Sequence, residues 1–301
     1  MPKRAHTASP PERNAAPPGC LYLVATPIGN LEDITLRALR VLKEASLVAC
    51  EDTRHTQKLL QHYGIATRMV SYHEHNEHSR TPELVAALQQ GAQVALVSDA
   101  GMPLVSDPGH RLVAACIARG IRVVPVPGPS AVVAALAAAG LPCDEFVFVG
   151  FLPARSGERQ RALERLRNEP RTMVFYEAPH RLLDTLTAAA DVFGERPAVV
   201  ARELTKVHEE FVRGSLRELA AYFFARPPRG EATLLVTGGT AASVSAEIAA
   251  DAGASLAARV EQLIHEHGLD RKAALKRAAK ELGIPKREAY KRLLAGGDGE
   301  S

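Results

Sequence analysis

Two carboxylates, Asp99 and Asp107, sit in a loop, Val97-Ser98-Asp99-Ala100-Gly101-Met102-Pro103-Leu104-Val105-Ser106-Asp107-Pro108-Gly109-His110, whose residue types suit the cradling of a small molecule. Upstream, Gln93-Val94-Ala95-Leu96-Val97 is a β-branched apolar run that predicts a strand. Downstream, His110 to Ile117 has the apolar spacing of a helix. The loop therefore leaves a strand's carboxyl end, the edge at which open α/β sheets bind ligands. Asp107 is placed to cap the helix and Pro108 to occupy its first turn, while Gly101 and Gly109 admit backbone conformations closed to other residues. Free N–H groups at the helix start would face the crevice. The same residues also suit a plain strand-to-helix turn, so neighbouring segments must decide between the two.

Two other loops lie at comparable places, Thr26-Pro27-Ile28-Gly29-Asn30 after the first expected strand and Pro127-Gly128-Pro129-Ser130-Ala131 after the fifth. In a parallel sheet all three open on one edge and together could hold a ligand through backbone N–H and C=O groups. None matches a Gly-x-Gly-x-x-Gly fingerprint or a Gly-x-x-x-x-Gly-Lys-Ser/Thr loop, which argues against NAD and ATP.

The elements that position these loops alternate strand and helix from Leu21 to Val126, which predicts a largely parallel sheet. A second α/β set follows, with strands expected at Phe146–Val149, Met173–Tyr176, Ala198–Ala201 and Thr233–Val236. The expected division is a disordered tail over 1–19, α/β domains over 20–141 and 142–239, a linker over 240–254 and a basic helical module over 255–295. In the last, Leu256, Val260, Leu263 and Ile264 form one apolar stripe, and Leu275, Ala278, Ala279 and Leu282 another. With Gly283 between helices, this reads as a helix-turn-helix-like module or as a solvated hairpin packed on the body.

With 301 residues, 46% of them hydrophobic, the chain is long enough for two cores. The four cysteines lie far apart without a Cys-x-x-Cys pair and are expected to be reduced, buried and structural. No apolar signal core opens the sequence, and Ala131 to Leu141 is too short to span a membrane, so a soluble, cytoplasmic protein is expected. The net charge of +3 is uneven. Between Asp270 and Leu294 nine Lys or Arg residues oppose Asp270, Glu281 and Glu288, leaving +6 on that stretch and −3 on the remainder. A basic terminal segment on a nearly neutral body points to a polyanionic partner. His73, His75 and His78, with Glu74 and Glu77, are close in sequence but have no recognised metal-ligand spacing, so no metal is expected.

Several of these segments carry a resemblance. Leu21 to Thr35, Glu51-Asp52-Thr53-Arg54-His55-Thr56, Ser98 to Pro103, Pro127 to Ala131 and Gly150-Phe151-Leu152-Pro153 resemble the tetrapyrrole methylase superfamily. Phe175-Tyr176-Glu177-Ala178-Pro179-His180-Arg181-Leu182 and Ala201-Arg202-Glu203-Leu204-Thr205-Lys206 resemble its branch that methylates small-subunit ribosomal RNA. The likeness runs in order from Cys20 to Leu294. It implies two α/β domains with an interdomain cleft, S-adenosylmethionine as methyl donor, a homodimer, and transfer to the ribose 2′-oxygen of a decoding-centre cytidine in 16S rRNA, free or in the 30S subunit. Members acting on corrin rings carry a glycine-rich first loop, whereas Thr26 to Asn30 holds one glycine, which weighs against a small-molecule acceptor.

Carried over by the resemblance, the donor's contacts would be Pro27, Asp99, Ala100, Gly101, Ser106, Ser130, Ala131 and Phe151, with main-chain contacts near Leu204, Ala232 and Thr233. A ribose hydroxyl is a poor nucleophile at neutral pH, so a base or a positioned acceptor is expected to assist it. Glu177, Arg202 and Lys206 are the leading candidates for this chemistry. His208, Glu209, Glu210 and the Glu51-Asp52-Thr53-Arg54-His55 run are others. Lys272, Lys276, Arg277, Lys286, Arg287, Lys291 and Arg292 would hold phosphates. Two alternatives stay open. A corrinoid methyltransferase would have no use for the basic segment, and a non-catalytic RNA-binding assembly protein would show no heat on mixing with S-adenosylmethionine.

Overall fold

The computed structural model describes residues 18–239 and, beyond them, 256, 259–265, 268–281, 285, 289 and 291. Residues 1–17 of the tail expected over 1–19, the linker, and the phosphate-binding candidates Lys286, Arg287 and Arg292 lie outside the described residues. No helix among the described residues is long and apolar enough to cross a membrane.

The first sheet contains β1 (Cys20–Val24), β2 (Leu47–Cys50), β3 (Met69–Ser71), β4 (Gln93–Val97) and β5 (Arg122–Val126) in the order β3-β2-β4-β1-β5. All its pairings are parallel. Period-2 alternation sends neighbouring residues to opposite faces. Val24, Val48, Cys50, Ala95 and Val97 join the cluster under α1 (Leu36–Glu44) and α2 (Thr53–His62). Leu21, Ala49, Val94 and Leu96 join the one under α3 (Glu77–Gln89) and α4 (His110–Ile117). Side-chain caps start α1 and α2: Thr35 Oγ1 accepts from the Ala38 N–H, and Asp52 from the Arg54 N–H. Pro125 is tolerated because β5 is an edge strand.

The second sheet is mixed. Its strands β6 (Phe146–Phe151), β7 (Thr172–Glu177), β8 (Pro197–Arg202), β9 (Glu210–Ser215) and β10 (Ala232–Val236) run in the order β6-β7-β10-β8-β9. Only β6 and β7 are parallel there. One face buries Met173, Phe175, Val200 and Leu234 beneath α6 (Ser156–Arg165), α7 (Leu182–Phe193) and α8 (Leu216–Ala225). The other face packs Val174, Val199 and Leu235 against Val132, Ala135, Leu136 and Ala139 of α5 (Ala131–Ala139). The expected boundary near Leu141 falls after α5, yet the apolar face of α5 packs on the second sheet. The chain thus changes sheets in the proline-rich stretch before α5.

In the basic module, Leu256, Val260 and Leu263 share a core with Ala274, Leu275, Ala278, Ala279 and Ala289, so the two apolar stripes meet. Asp270 accepts the Ala273 N–H at 2.7 Å and caps the helix Arg271–Glu281. Lys272, Lys276, Arg277 and Lys291 are exposed. Of the cysteines, Cys20, Cys50 and Cys116 are buried, but Cys143 is exposed, because it lies in the connection between α5 and β6 rather than on a core face.

Candidate active site

The loops after β1, β4 and β5 meet at one edge of the first sheet. Thr26 N–H donates to the Gly101 carbonyl at 2.9 Å and Gly101 N–H returns the bond to Thr26 at 3.0 Å, a short antiparallel bridge between the first and fourth loops. The Thr26 hydroxyl donates to the Ser98 carbonyl at 3.0 Å, and the Ser98 hydroxyl to the Gly101 carbonyl at 3.2 Å. The Gly101 carbonyl thus accepts twice, once from backbone and once from a side chain.

These loops face the second sheet across a cavity of about 510 Å³, within the range usual for small-molecule sites. Of the residues expected to hold a donor, Asp99, Ala100, Gly101, Ser106, Ser130, Ala131, Phe151, Leu204, Ala232 and Thr233 line it, as do Glu177 and Lys206. Pro27 and Arg202 do not: Ile28 takes the place of Pro27, and Ala201 that of Arg202. The reason for Arg202 is strand alternation. It lies opposite Glu210 in the β8–β9 register and ion-pairs with it, facing away from the side Ala201 presents. Asp107 does not cap α4 either. The N-cap residue is Gly109, and Pro108 precedes the helix rather than opening it.

Among the described residues, those with left-handed backbone that are not glycine are Leu104 (φ 74°), Ser106 (φ 67°), Glu203 (φ 51°) and Thr205 (φ 65°). They fall in two loops on opposite walls of this one cavity. Such strain persists only where the surroundings hold it, and it clusters at functional sites. Here Lys206 Nζ donates to Glu203 Oε1 at 2.8 Å, Glu209 accepts the Thr205 N–H at 2.7 Å, and Glu203 N–H donates to the Glu231 carbonyl at 3.3 Å. Gly29 lies so close to this loop that a Cβ there would come within 2.5 Å of Lys206 Cγ. The first loop of one sheet thus rests on the strained loop of the other.

Glu177, at the end of β7, is 1% exposed. Its Oε2 accepts from the Thr185 hydroxyl at 2.6 Å, its Oε1 from the Ala178 N–H at 2.8 Å, and Arg181 Nε lies 3.3 Å from Oε1. Arg181 also donates to the Leu152 carbonyl, tying the end of β7 to that of β6. Both carboxylate oxygens are therefore engaged in holding the wall.

Five other carboxylates line the cavity: Glu203 and Glu231 on the side of the second sheet, and Glu51, Asp99 and Asp107 on loops of the first. Asp99 Oδ1 accepts the Asp52 N–H at 3.2 Å. Burial, followed by the neighbouring charge of Asp99, raises the pKa of Glu51, with His73 opposing. Burial, followed by Glu51, pushes Asp107 up to about 6; the Ser98 hydroxyl opposes this and Asp99 adds to it. Tyr176 is raised as well, by burial and then by the charge of Asp107.

The other candidates have local roles. His73 contacts Asn76 at 3.1 Å and His78 contacts Arg111 at 3.1 Å, while His75, His55 and His208 are exposed. No group of three or more His, Cys, Asp or Glu residues among those described could hold a metal ion. Sequence reasoning missed Tyr176, Met102 and Glu231 as lining residues. Tyr176 was visible in principle, because it alternates with the buried Phe175 at a strand's end.

Two α/β sheets around a shared strand-end cavity are the frame of a methyltransferase class. The family model described as Tetrapyrrole (Corrin/Porphyrin) Methylases matches residues 20–220. The chain belongs to the tetrapyrrole methylase family. It is 50% identical over 280 residues, 92% of this chain and 98% of the relative, to the ribosomal RNA small subunit methyltransferase I of Synechocystis sp.. It is also 50% identical over 279 residues, 92% and 97% of the two chains, to the protein of that name in Pseudomonas aeruginosa. Among solved structures, uroporphyrin-III-C-methyltransferase from Thermus thermophilus superposes with a TM-score of 0.53 at 26% identity, covering 73% of this chain and 94% of that one. Diphthine synthase, at 17% identity and a TM-score of 0.58 over 72% and 90% of the two chains, shares the fold.

Proposed function

We propose that this protein transfers a methyl group from S-adenosylmethionine to the ribose 2′-oxygen of a cytidine in the decoding centre of 16S rRNA, free or within the 30S subunit. The observation that carries this reading is the cavity between the sheets, in a chain about half identical to small-subunit ribosomal RNA methyltransferases over nine-tenths of its length. Its residues fit the donor. Ile28, Val105, Phe151, Tyr176 and Leu204 supply an apolar and aromatic wall for a purine, while Asp99 and Glu51 supply acceptors and negative charge for ribose hydroxyls and a cationic centre. Bound there, the donor supplies a methyl group activated by positive sulfur.

The chain's own contribution is orientation. Holding nucleophile, methyl carbon and leaving group in line is worth up to about 7–11 kcal/mol in favourable cases. The Thr26–Gly101 bridge and the Glu203–Lys206 loop hold the two walls, and Glu177 with Arg181 fixes the end of β7. Lys206 faces the cavity and, through its pairing with Glu203, serves to hold the loop. The reading includes a homodimer, as the resemblance implies, in a cytoplasmic setting.

Phosphates would be held by the basic module, whose Lys272 and Lys276 are exposed on one helix. Such contacts position RNA without reading sequence. Replacing both with alanine is expected to weaken binding to 16S rRNA and to reduce the slope of log affinity against log salt by about 1–2, with S-adenosylmethionine binding unchanged. An unaltered slope in a filter-binding salt titration contradicts the role given to the module. The function itself is tested by supplying labelled S-adenosylmethionine with 30S subunits, free 16S rRNA or a corrinoid. Label is expected in RNA, and label in the corrinoid alone would refute the reading.

A further inference from the structure

A second cavity, of about 780 Å³, adjoins the first and is lined by Glu74, Glu77, His110 and Arg111 among others. Only Glu51, Ser106 and Asp107 line both cavities among the described residues. We propose that Asp107 is the proton acceptor of the reaction, with the target nucleotide reaching the methyl donor through the second cavity. This rests on the ribose-methylation reading above.

The argument begins with position. A group that touches the attacking hydroxyl must stand where the acceptor's space meets the donor's, and three side chains do. The Ser106 hydroxyl is a weak base at neutral pH, which leaves two carboxylates. Glu51 interacts with Asp99, His73, Asp52 and Glu74 on the side of the first sheet. Asp107 and Tyr176 of β7 line the same cavity, so Asp107 stands where the loops of the first sheet face the second. Asp99 lines the first cavity only, and its Oδ1 accepts the Asp52 N–H.

Backbone and electrostatics suit the role. Asp107 follows Ser106 in its left-handed conformation and precedes Pro108, which fixes its own φ, so the loop presents the carboxylate from a restrained backbone. The groups facing it are Glu51 and Asp99 of the first sheet's loops, Ser98, and Tyr176 of the second sheet, with Glu74, Glu77, His110 and Arg111 beyond in the second cavity. Burial and the two carboxylates make Asp107 a stronger base than an ordinary aspartate, yet with a pKa of about 6 it is still ionised at pH 7–8. In the step, the ribose 2′-oxygen forms a bond to the methyl carbon as the carbon–sulfur bond breaks. The pair of that bond stays on sulfur, which becomes a neutral thioether. The hydroxyl proton passes to an Asp107 carboxylate oxygen and from there to solvent.

The test is single-turnover transfer of labelled methyl to 30S subunits across pH 5–9, with S-adenosylmethionine binding followed by calorimetry. For the wild-type protein the rate is expected to rise with pH through a limb near 6, as Asp107 ionises. Glu51→Gln removes a negative neighbour, lowers the Asp107 pKa and moves the limb to lower pH. Asp107→Asn abolishes the limb and cuts the plateau rate by roughly 10²–10⁴-fold. Its calorimetric affinity for S-adenosylmethionine stays within a few-fold, which shows a folded site, and Asp107→Glu restores a limb. A wild-type limb and rate in Asp107→Asn overturn the proposal. So does a limb lost in Glu51→Gln but kept in Asp107→Asn. A wild-type protein that methylates no ribose overturns the underlying functional reading as well, which separates the two failures.

Discussion

Valine at position 101 is expected to reduce S-adenosylmethionine affinity by at least a hundredfold, and alanine by about tenfold. Gly101 has φ +83°, and a Cβ placed there would meet Ile28 Cγ2 at 3.5 Å and Pro129 O at 3.6 Å, which are ordinary contacts. Space is therefore not the obstacle for alanine; backbone conformation is. A left-handed residue with a Cβ costs roughly 1–2 kcal/mol, near the 1.4 kcal/mol that makes a factor of ten. A β-branched side chain is a true outlier in this region and costs more. The strain cannot relax without loss, since rotating the peptide breaks both bonds to Thr26 and carries Asp99 and Ala100 out of place. Calorimetry with the donor and filter binding with RNA measure the two affinities separately. RNA binding should hold while donor binding falls, and the reverse order contradicts the placement of the donor in this cavity.

Glu177→Ala is expected to destabilise the protein by about 3–5 kcal/mol, the usual cost of removing one partner from a buried pair. The carboxylate is fully buried, and its loss leaves the Thr185 hydroxyl and the Ala178 N–H without their acceptor and Arg181 without its anion. Glu177→Gln keeps an amide oxygen for one of the donors and should cost less. Urea denaturation measures both. Activity should fall with stability across the pair. A fully stable but inactive Glu177→Gln protein would instead make Glu177 a participant in the chemistry.

The first sheet and its three loops were legible in the sequence because parallel strands buried on both faces leave short, continuous apolar runs such as Val94–Val97. The second sheet was harder to read. β9, with sequence EFVRGS, is a half-exposed edge strand whose charged residues disguise it, and its pairing with β8 turns Arg202 away from the cavity. α3 begins at Glu77, five residues before Pro82, although a proline more often marks a helix's first turn. Asp107 has the residue type of a cap, but in the fold it lines the cleft while Gly109 holds the cap position. The strained residues Leu104, Ser106, Glu203 and Thr205 carry no compositional mark, because tertiary contacts rather than glycine hold them left-handed.

The central claim is that this cavity methylates a ribose in the decoding centre. Mass-spectrometric mapping of 16S rRNA nucleosides, from 30S subunits incubated with the protein and S-adenosylmethionine, tests it most directly. The account predicts one new 2′-O-methylcytidine, absent with Gly101→Val. A methyl group on a base, or no RNA methylation by a protein that binds the donor, would contradict it.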